Sequence, residues 1–241
     1  MSFFNQHEYD IRFEWGLSGV DALMPVSDVM IIVDVLSFTT CVDIILGRGG
    51  VVFPYRGDEE NLAPFALEVD ALVASKKCDH AAAYTLAPTS LLQIPQGTRL
   101  VLPSPNGSTL SLATGHVPTL AGCLRNARAV AKKAMLLGKR ISVIAAGERW
   151  WSTGLLRPSL EDLLGAGAIL SELDGERSPE AETAVISFQH AQHNLPQTLL
   201  RCGSGKELVG RGFADDVALA AQLNASQTAP VLTDGAYQNS H

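Results

Sequence analysis

The sequence predicts an α/β fold, layered α/β/α, with a mostly parallel or mixed sheet and a helical C-terminal part. Short runs of apolar, often β-branched residues alternate with stretches whose apolar residues recur at helical spacing. Of the 241 residues, 46% are hydrophobic and only 18% are charged, so many segments must be buried on more than one side. The sequence contains no internal repeat and no low-complexity linker. We therefore expect a single α/β domain over residues 1–241.

The N-terminal half predicts strand-turn-helix units. Residues 28–35 (DVMIIVDV) are a β-branched run bounded by polar residues, which is typical of a strand buried on both faces. A helix is expected from Ser37 to Leu46, ended by a glycine-rich turn. The segment 103–109 (PSPNGST) contains two prolines and an Asn-Gly pair, so it predicts a tight loop between a strand and a helix. The other elements predicted in this half are strands at 51–54 and 99–102 and a helix at 59–77.

The second half carries the most regular patterns. The run RISVIAA at 140–146 predicts a buried strand, and apolar residues at helical spacing predict a helix over 159–173. Helical patterns predominate from about residue 179, and the chain closes with an expected edge strand at 230–233. The remaining predicted elements are a strand at 119–123 and helices at 127–137, 181–192, 197–201, 205–209 and 214–223.

Charge and hydropathy exclude some classes of partner. The net charge of -7 and the lack of a Lys/Arg-rich run argue against a nucleic-acid partner. No stretch approaches the roughly 18 apolar residues that suggest a membrane span, and the N-terminal residues are not typical of a signal or transit peptide. We therefore expect a cytoplasmic protein with no membrane partner, and a homo-oligomer is compatible with the sequence.

The cysteines and histidines do not predict a transition-metal site. His190 and His193 are three residues apart but lack a third ligand, which favours an exposed polar helix face. The cysteines lie far apart without a CxxC pair, so small core residues are favoured over a zinc cluster or disulfides. They are Cys41, Cys78, Cys123 and Cys202.

Acidic residues follow the predicted strands, at the sheet edge where α/β proteins bind ligands. Asp34 ends the 28–35 strand, Glu148 follows the 140–146 strand, and Glu161 and Asp162 lie in the first turn of the 159–173 helix. Charges in such apolar surroundings are costly unless they are paired or bind a metal. Mg²⁺ prefers a few carboxylates with several waters and often a phosphate. We predict Asp34, Glu148, Glu161 and Asp162 as Mg²⁺ ligands.

Helix capping is the alternative for two of these carboxylates. Asp34 could cap the helix that starts near Ser37, and Asp162 with Ser159 resembles a capping box. Glu161 is not needed for the cap, so it is the better candidate ligand.

Several segments predict binding of an anion. Arg125, between a strand and a helix, has the fork geometry that suits a phosphate or sulfonate. Arg149 and the adjacent tryptophans 150 and 151 form either a lid or a packed cluster. Two loop segments at helix starts offer N–H and hydroxyl donors, although an ordinary turn is the alternative for the first. Their candidate substrate-binding residues are Asn106, Gly107, Ser108, Ser204 and Gly205.

The segment around Ser204 is not a nucleotide-binding phosphate loop. Leu200 stands where that motif requires a glycine, and Glu207 replaces the hydroxyl residue that binds magnesium.

Taken together, these segments resemble the 2-phosphosulfolactate phosphatase family, which is associated with coenzyme M biosynthesis. The resemblance rests on ordered motifs over nearly the whole chain, and it implies a magnesium-dependent phosphomonoesterase of a small phosphorylated hydroxy acid. One departure stands out: Ser37 and Phe38 occupy positions where the family pattern has Arg and Ala, and Arg149 or Arg157 could substitute. The motifs are VDVLSFTT (33–40), LPSPNGS (102–108), CLRNARAVA (123–131), IAAGER (144–149), RPSLEDLLGAGAI (157–169) and CGSGKEL (202–208), followed by GFADDVALAAQLN and PVLTDG.

The resulting hypothesis is metal-assisted hydrolysis of a phosphate monoester. Asp34, Glu148 and Arg125 are its candidate catalytic residues, and Mg²⁺ its cofactor. The nucleophile is either water or Asp34, and Leu36 favours water because haloacid-dehalogenase-like phosphatases have a second Asp at that position. The rival hypothesis is a non-catalytic homologue that binds an anion or a metabolite.

Overall fold

The computed structural model describes residues 3–75 and 82–239. The strands are β1 (Ile11–Trp15), β2 (Val29–Val33), β3 (Val51–Tyr55), β4 (Leu72–Val73), β5 (Arg99–Pro103), β6 (Thr119–Gly122), β7 (Ile141–Ala145), β8 (Glu148–Arg149), β9 (Leu156–Arg157), β10 (Pro230–Thr233) and β11 (Ala236–Asn239). The helices are α1 (Gly16–Leu23), α2 (Phe38–Gly47), α3 (Glu59–Glu68), α4 (Gly107–Ala113), α5 (Ala127–Leu137), α6 (Leu160–Leu170), α7 (Pro179–Ala191), α8 (Leu195–Arg201), α9 (Gly203–Gly210) and α10 (Ala214–Ala220). The predicted α/β class with a mixed sheet is confirmed.

The main sheet joins two parallel blocks that run in opposite directions. Its strand order is β1-β7-β2-β6-β10-β11-β3-β5-β4. Pairing is parallel within β1-β7-β2-β6 and within β3-β5-β4. The hairpin β10-β11 pairs antiparallel with β6 on one side and with β3 on the other. Three antiparallel steps therefore separate the blocks and reverse their direction.

The first block contains the centre of the core. Every residue of β2 and β7 is buried, as the apolar runs predict. Helix α6 packs closely on this block through glycines: a Cβ on Gly165 would lie 2.5 Å from the side chain of Val35. On its other side, a Cβ on Gly167 would lie 2.1 Å from the carbonyl oxygen of Ala184 in α7. This close packing fixes the N-terminus of α6 beside the end of β2.

Several boundaries differ from the sequence predictions. The segment 230–233 is not an edge strand, because β10 lies between β6 and β11 inside the sheet. The edges are instead β1, in an N-terminal segment without a predicted strand, and β4, in a segment predicted as helix. The helix predicted over 59–77 ends at Glu68, where Asp70 adopts a positive φ of 47° that a helix does not tolerate. Residues 76 and 77 of that prediction lie outside the described residues.

Other predictions from the sequence are confirmed in the described residues. Cys41, Cys123 and Cys202 are buried free cysteines, whereas Cys78 lies outside the described ranges. His190 and His193 are exposed. Within residues 3–75 and 82–239, no helix combines the length and the apolar character that crossing a bilayer requires.

Candidate active site

The predicted carboxylates converge where β2 and β7 end. These strands pair in parallel with Val33 opposite Ala145, so their carboxyl ends lie side by side. Asp34 directly follows β2, and the first turn of α6 brings Glu161 and Asp162 to the same place. These side chains are almost fully buried, with exposed fractions of 7% for Asp34, 2% for Glu161 and 3% for Asp162. We refer to Asp34, Glu148, Glu161 and Asp162 as the carboxylate cluster.

Asp162 connects the loops of this cluster. Its Oδ1 accepts a hydrogen bond from the Val35 N–H at 2.7 Å, and its Oδ2 accepts from the Gly147 N–H at 2.9 Å and the Ser159 hydroxyl at 2.8 Å. Ser159 therefore donates to Asp162 and makes no side-chain cap for α6. Burial, followed by the neighbouring Glu161 and Asp34, raises the pKa of Asp162 well above its usual value. Both oxygens are occupied, so Asp162 organises the backbone around the cluster.

Asp34 links the end of β2 to the loop before α4. Its Oδ1 accepts from the Phe38 N–H at 3.2 Å, which is the helix-capping contact considered from the sequence. Its Oδ2 accepts from the Gly107 N–H at 2.8 Å and lies 3.5 Å from the Ser104 hydroxyl. Gly107 is required for this approach, because a Cβ there would lie 2.3 Å from the Phe38 ring and 2.7 Å from Asp34 Oδ2. Asp34 thus serves both as a cap and as a member of the cluster.

Glu148 has the clearest electrostatic signature of the cluster. Asn106 donates from Nδ2 to its Oε2 at 3.1 Å. Burial raises the pKa of Glu148 to about 7, with further increases from Asp34 and Glu161, whereas Arg157 and Asn106 act in the opposite direction. The local field is therefore negative and disfavours another negative charge at this position.

Glu161 is held by a cysteine at the start of α9. The Cys202 thiol lies 3.4 Å from Glu161 Oε2, and the Gly205 N–H donates to its sulfur at 3.3 Å. Burial, and then Glu161, raises the pKa of Cys202 to about 12, so the thiol is a donor and not a nucleophile at neutral pH. Gly205 is fixed by packing, because a Cβ there would lie 1.8 Å from the Leu199 carbonyl oxygen.

Arg157 is the cation that faces the cluster. It lies opposite Glu148 in the antiparallel pairing of β8 with β9, and its Nη2 donates to the Ser204 hydroxyl at 3.1 Å. Its guanidinium lies 5.8 Å from the centre of the Trp150 ring. None of the ion pairs formed by the described residues involves Arg157. In the sequence analysis, Arg157 is only a possible replacement for the arginine of the family pattern. The sequence feature that could have identified it is Gly154, at the turn that lets the two hairpin strands pair.

The other two predicted arginines have different partners. Arg149 donates from Nη1 to the Gly154 carbonyl oxygen at 2.9 Å, at the exposed end of the hairpin. Arg125 donates from Nε to Asp43 Oδ2 at 2.8 Å, and Asp43 is fully buried. Arg125 also donates to Gln222 in the C-terminal part at 2.5 Å. The structure thus brings neither guanidinium to the cluster through these contacts.

Ser108, another predicted substrate-binding residue, makes a hydrogen bond within the fold. Its buried hydroxyl donates to the Leu102 carbonyl oxygen at 2.8 Å. In the described residues, no group of three or more His, Cys, Asp and Glu side chains is arranged so that it could hold a metal ion.

Comparison with known proteins agrees with the motif-based resemblance. A family model described as 2-phosphosulpholactate phosphatase matches residues 20–235, which include all the site residues above. The chain belongs to the 2-phosphosulfolactate phosphatase family. It is 31% identical over 213 residues to the 2-phosphosulfolactate phosphatase of Methanothermobacter thermautotrophicus, covering 87% of this chain and 88% of that relative. It is 28% identical over 136 residues to a probable 2-phosphosulfolactate phosphatase of Gloeobacter violaceus, covering 56% and 55%.

Proposed function

We propose that this protein is a Mg²⁺-dependent phosphomonoesterase. Its substrate would be a small phosphorylated hydroxy acid, 2-phosphosulfolactate or a close relative, and its products the hydroxy acid and inorganic phosphate. The observation that carries the proposal is the carboxylate cluster, in which burial, and then the neighbouring Asp34 and Glu161, raise the pKa of Glu148 to about 7. Beside it lies Arg157, which forms no ion pair among the described residues. Membership of the family supports the same reaction class.

The donor chemistry of the cluster fits Mg²⁺. Carboxylate oxygens are hard ligands, and a bound dication would relieve the repulsion by Asp34 and Glu161 that adds to burial in raising the Glu148 pKa. Asp34, Glu148 and Glu161 would hold the ion, and Asp162 would stand behind them as the organiser of their loops. Mg²⁺ usually keeps several waters and shares its shell with substrate phosphate, so these carboxylates would supply only part of its shell. When bound, the ion would neutralise phosphoryl charge.

The side chains around the cluster supply orientation and charge. Arg157, held by Ser204 and by the Trp150 ring, offers its remaining N–H donors to phosphoryl oxygens. Asn106 fixes the orientation of Glu148 through its 3.1 Å hydrogen bond. Phosphoryl transfer demands mainly positioning and charge stabilisation, and these contacts meet that demand.

Water is the nucleophile favoured by the hydrogen bonds of Asp34. Both its carboxylate oxygens accept backbone N–H bonds, from Phe38 and from Gly107. Those bonds stabilise the carboxylate and reduce its nucleophilicity. An acid-stable phosphoenzyme that disappears in Asp34→Asn would overturn the assignment of water.

The direct test is release of inorganic phosphate by the purified full-length protein. We expect hydrolysis of 2-phosphosulfolactate and phospholactate that EDTA abolishes and added Mg²⁺ restores. Anion binding without turnover of any phosphomonoester would favour the rival, a non-catalytic homologue.

A further inference from the structure

The place where α8 meets α9 contacts both the carboxylate cluster and the arginine that faces it. We refer to Cys202, Gly203 and Ser204 as the α8-α9 corner. The Cys202 thiol lies 3.4 Å from Glu161 Oε2. Two residues later, the Ser204 hydroxyl accepts from Arg157 Nη2 at 3.1 Å. One short segment of the C-terminal part therefore contacts two charged groups of the site.

The backbone of the corner fixes the sulfur of Cys202. The Cys202 N–H donates to the carbonyl oxygens of Thr198 at 3.1 Å and Leu199 at 3.3 Å, which end α8. Its sulfur accepts from the Gly205 N–H at 3.3 Å, in the first turn of α9. Because the residue ends one helix and caps the next, its side chain has little freedom to move.

The thiol of Cys202 has one proton and two acceptors. Its sulfur lies 3.1 Å from the Leu199 carbonyl oxygen and 3.4 Å from Glu161 Oε2. A hydrogen bond to a charged acceptor is roughly twice as strong as one to a neutral acceptor, so an ionised Glu161 is the favoured partner. The contact therefore fixes the orientation of the Glu161 carboxylate.

The other two residues of the corner form a wall beside Arg157. Ser204 is buried and holds one guanidinium nitrogen, and a Cβ on Gly203 would lie 3.4 Å from Nη1. A long side chain loses rotamer freedom when it binds an anion. A contact that already holds the guanidinium reduces this loss and so favours anion binding.

We propose that Cys202 and Ser204 are positioning residues of the active site. Cys202 orients Glu161 for Mg²⁺ binding, and Ser204 holds Arg157 at the position of the phosphate. This inference rests on the proposed phosphomonoesterase function. It also assigns Ser204, predicted from the sequence to bind substrate, a role that acts through Arg157.

The test for Cys202 is calorimetric titration of the full-length protein with Mg²⁺. Cys202→Ala should raise the dissociation constant by about tenfold or more, as expected when a partner behind a metal ligand is lost. Cys202→Ser keeps a hydrogen-bond donor and should recover most of the affinity. Cys123→Ala is the matched control, because Cys123 is also a buried thiol directly before a helical turn but lies next to Arg125 in the sequence. It should bind Mg²⁺ as the wild type does.

The test for Ser204 is titration with inorganic phosphate in the presence of Mg²⁺. Ser204→Ala should weaken phosphate binding by about fivefold, the value of one ordinary hydrogen bond. In an Arg157→Ala background the same substitution should have no further effect, because Ser204 acts through the guanidinium.

Two outcomes would overturn the inference. They are an Mg²⁺ affinity that Cys202→Ala leaves unchanged, and a loss of phosphate affinity in Ser204→Ala that is equally large without Arg157. The second outcome would mean that Ser204 contacts the phosphate directly.

Failure of the proposed function can be distinguished from failure of this inference. If the wild-type protein binds no Mg²⁺ and hydrolyses no phosphomonoester, the proposed function fails. Thermal unfolding then tests the Cys202 contact alone, because Cys202→Ala and Glu161→Ala each remove it. Their changes in melting temperature should not add in the double variant, and additive changes would overturn the assignment of Cys202.

Discussion

The carboxylate cluster and the Arg125 region both contain buried acidic groups, but they balance charge in opposite ways. Arg125 forms a 2.8 Å ion pair with the fully buried Asp43, which also receives a short hydrogen bond from Thr228. In the cluster, burial, and then the neighbouring carboxylates, raise the Glu148 pKa to about 7, and the nearby Arg157 forms no ion pair among the described residues. A buried group that is already neutralised serves the fold, whereas one that needs a cation marks a binding site.

The largest expected effect of a substitution in the cluster is on catalysis. Asp34→Asn removes a charge that we assign to Mg²⁺ binding, so kcat for phosphate release should fall by about 10³-fold, in the range seen when a transition-state electrostatic contact is lost. Thermal unfolding followed by circular dichroism should show a much smaller change. A variant that keeps more than a tenth of wild-type kcat would contradict the role of Asp34.

The corresponding change in the Arg125 region should reverse this pattern. Asp43→Asn leaves the largely buried guanidinium of Arg125 without its counter-charge, which should lower the free energy of unfolding by about 3 kcal/mol. Its kcat/KM should remain within a few-fold of wild type, as measured below the unfolding transition. If Asp43→Asn instead abolishes turnover in a folded protein, Arg125 belongs to the catalytic site after all.

A pair of arginine substitutions sharpens the comparison within the hairpin. Arg157→Lys keeps the charge but loses the fork geometry, so we expect KM to rise about tenfold or more. Arg149→Lys, in the adjacent strand of the same hairpin, should leave KM nearly unchanged because its guanidinium contacts the exposed Gly154 carbonyl. Equal effects in steady-state kinetics would remove the distinction between the two residues.

The smallest expected effect is the pH dependence of stability without metal. The Glu148 pKa is raised from 4.5 to about 7, so the folded state binds this proton more tightly than the unfolded state. The resulting stabilisation is complete below about pH 4.5 and is lost as the pH rises through 7. Metal-free protein should therefore melt at a lower temperature at pH 8 than at pH 6, by a few degrees at most.

Two comparisons check that the effect comes from Glu148. Added Mg²⁺ should reduce the difference between the two pH values, because the ion replaces the proton as counter-charge. Glu148→Gln should also reduce it, and an unchanged difference in that variant would assign the titration to another group.

The sequence predicts the carboxylate cluster because its members follow local rules. Asp34 and Glu148 come directly after apolar strand patterns, and Glu161 opens a regular helix, so their common location follows from parallel pairing of the strands. Arg125 was a candidate because it also follows a predicted strand, but this position does not determine where its side chain points. Its pairing with Asp43 depends on how α2 packs, across 82 residues of sequence.

The features that the sequence misses depend on non-local pairing. The hairpin β10-β11 is inserted between two parallel blocks, which no local pattern near 230–239 indicates. Arg157 reaches the cluster only because β9 pairs with β8, and these strands have two residues each. Strands this short give too few residues for a periodicity signal.

Calorimetric titration of Mg²⁺ tests the central claim most directly, because it reports binding without requiring the substrate. The account predicts one ion per chain in the wild-type protein, lost in Glu161→Gln and retained in Asp43→Asn. Absence of binding to the wild type, or binding that Glu161→Gln leaves intact, would contradict the assignment of the carboxylate cluster as the magnesium site.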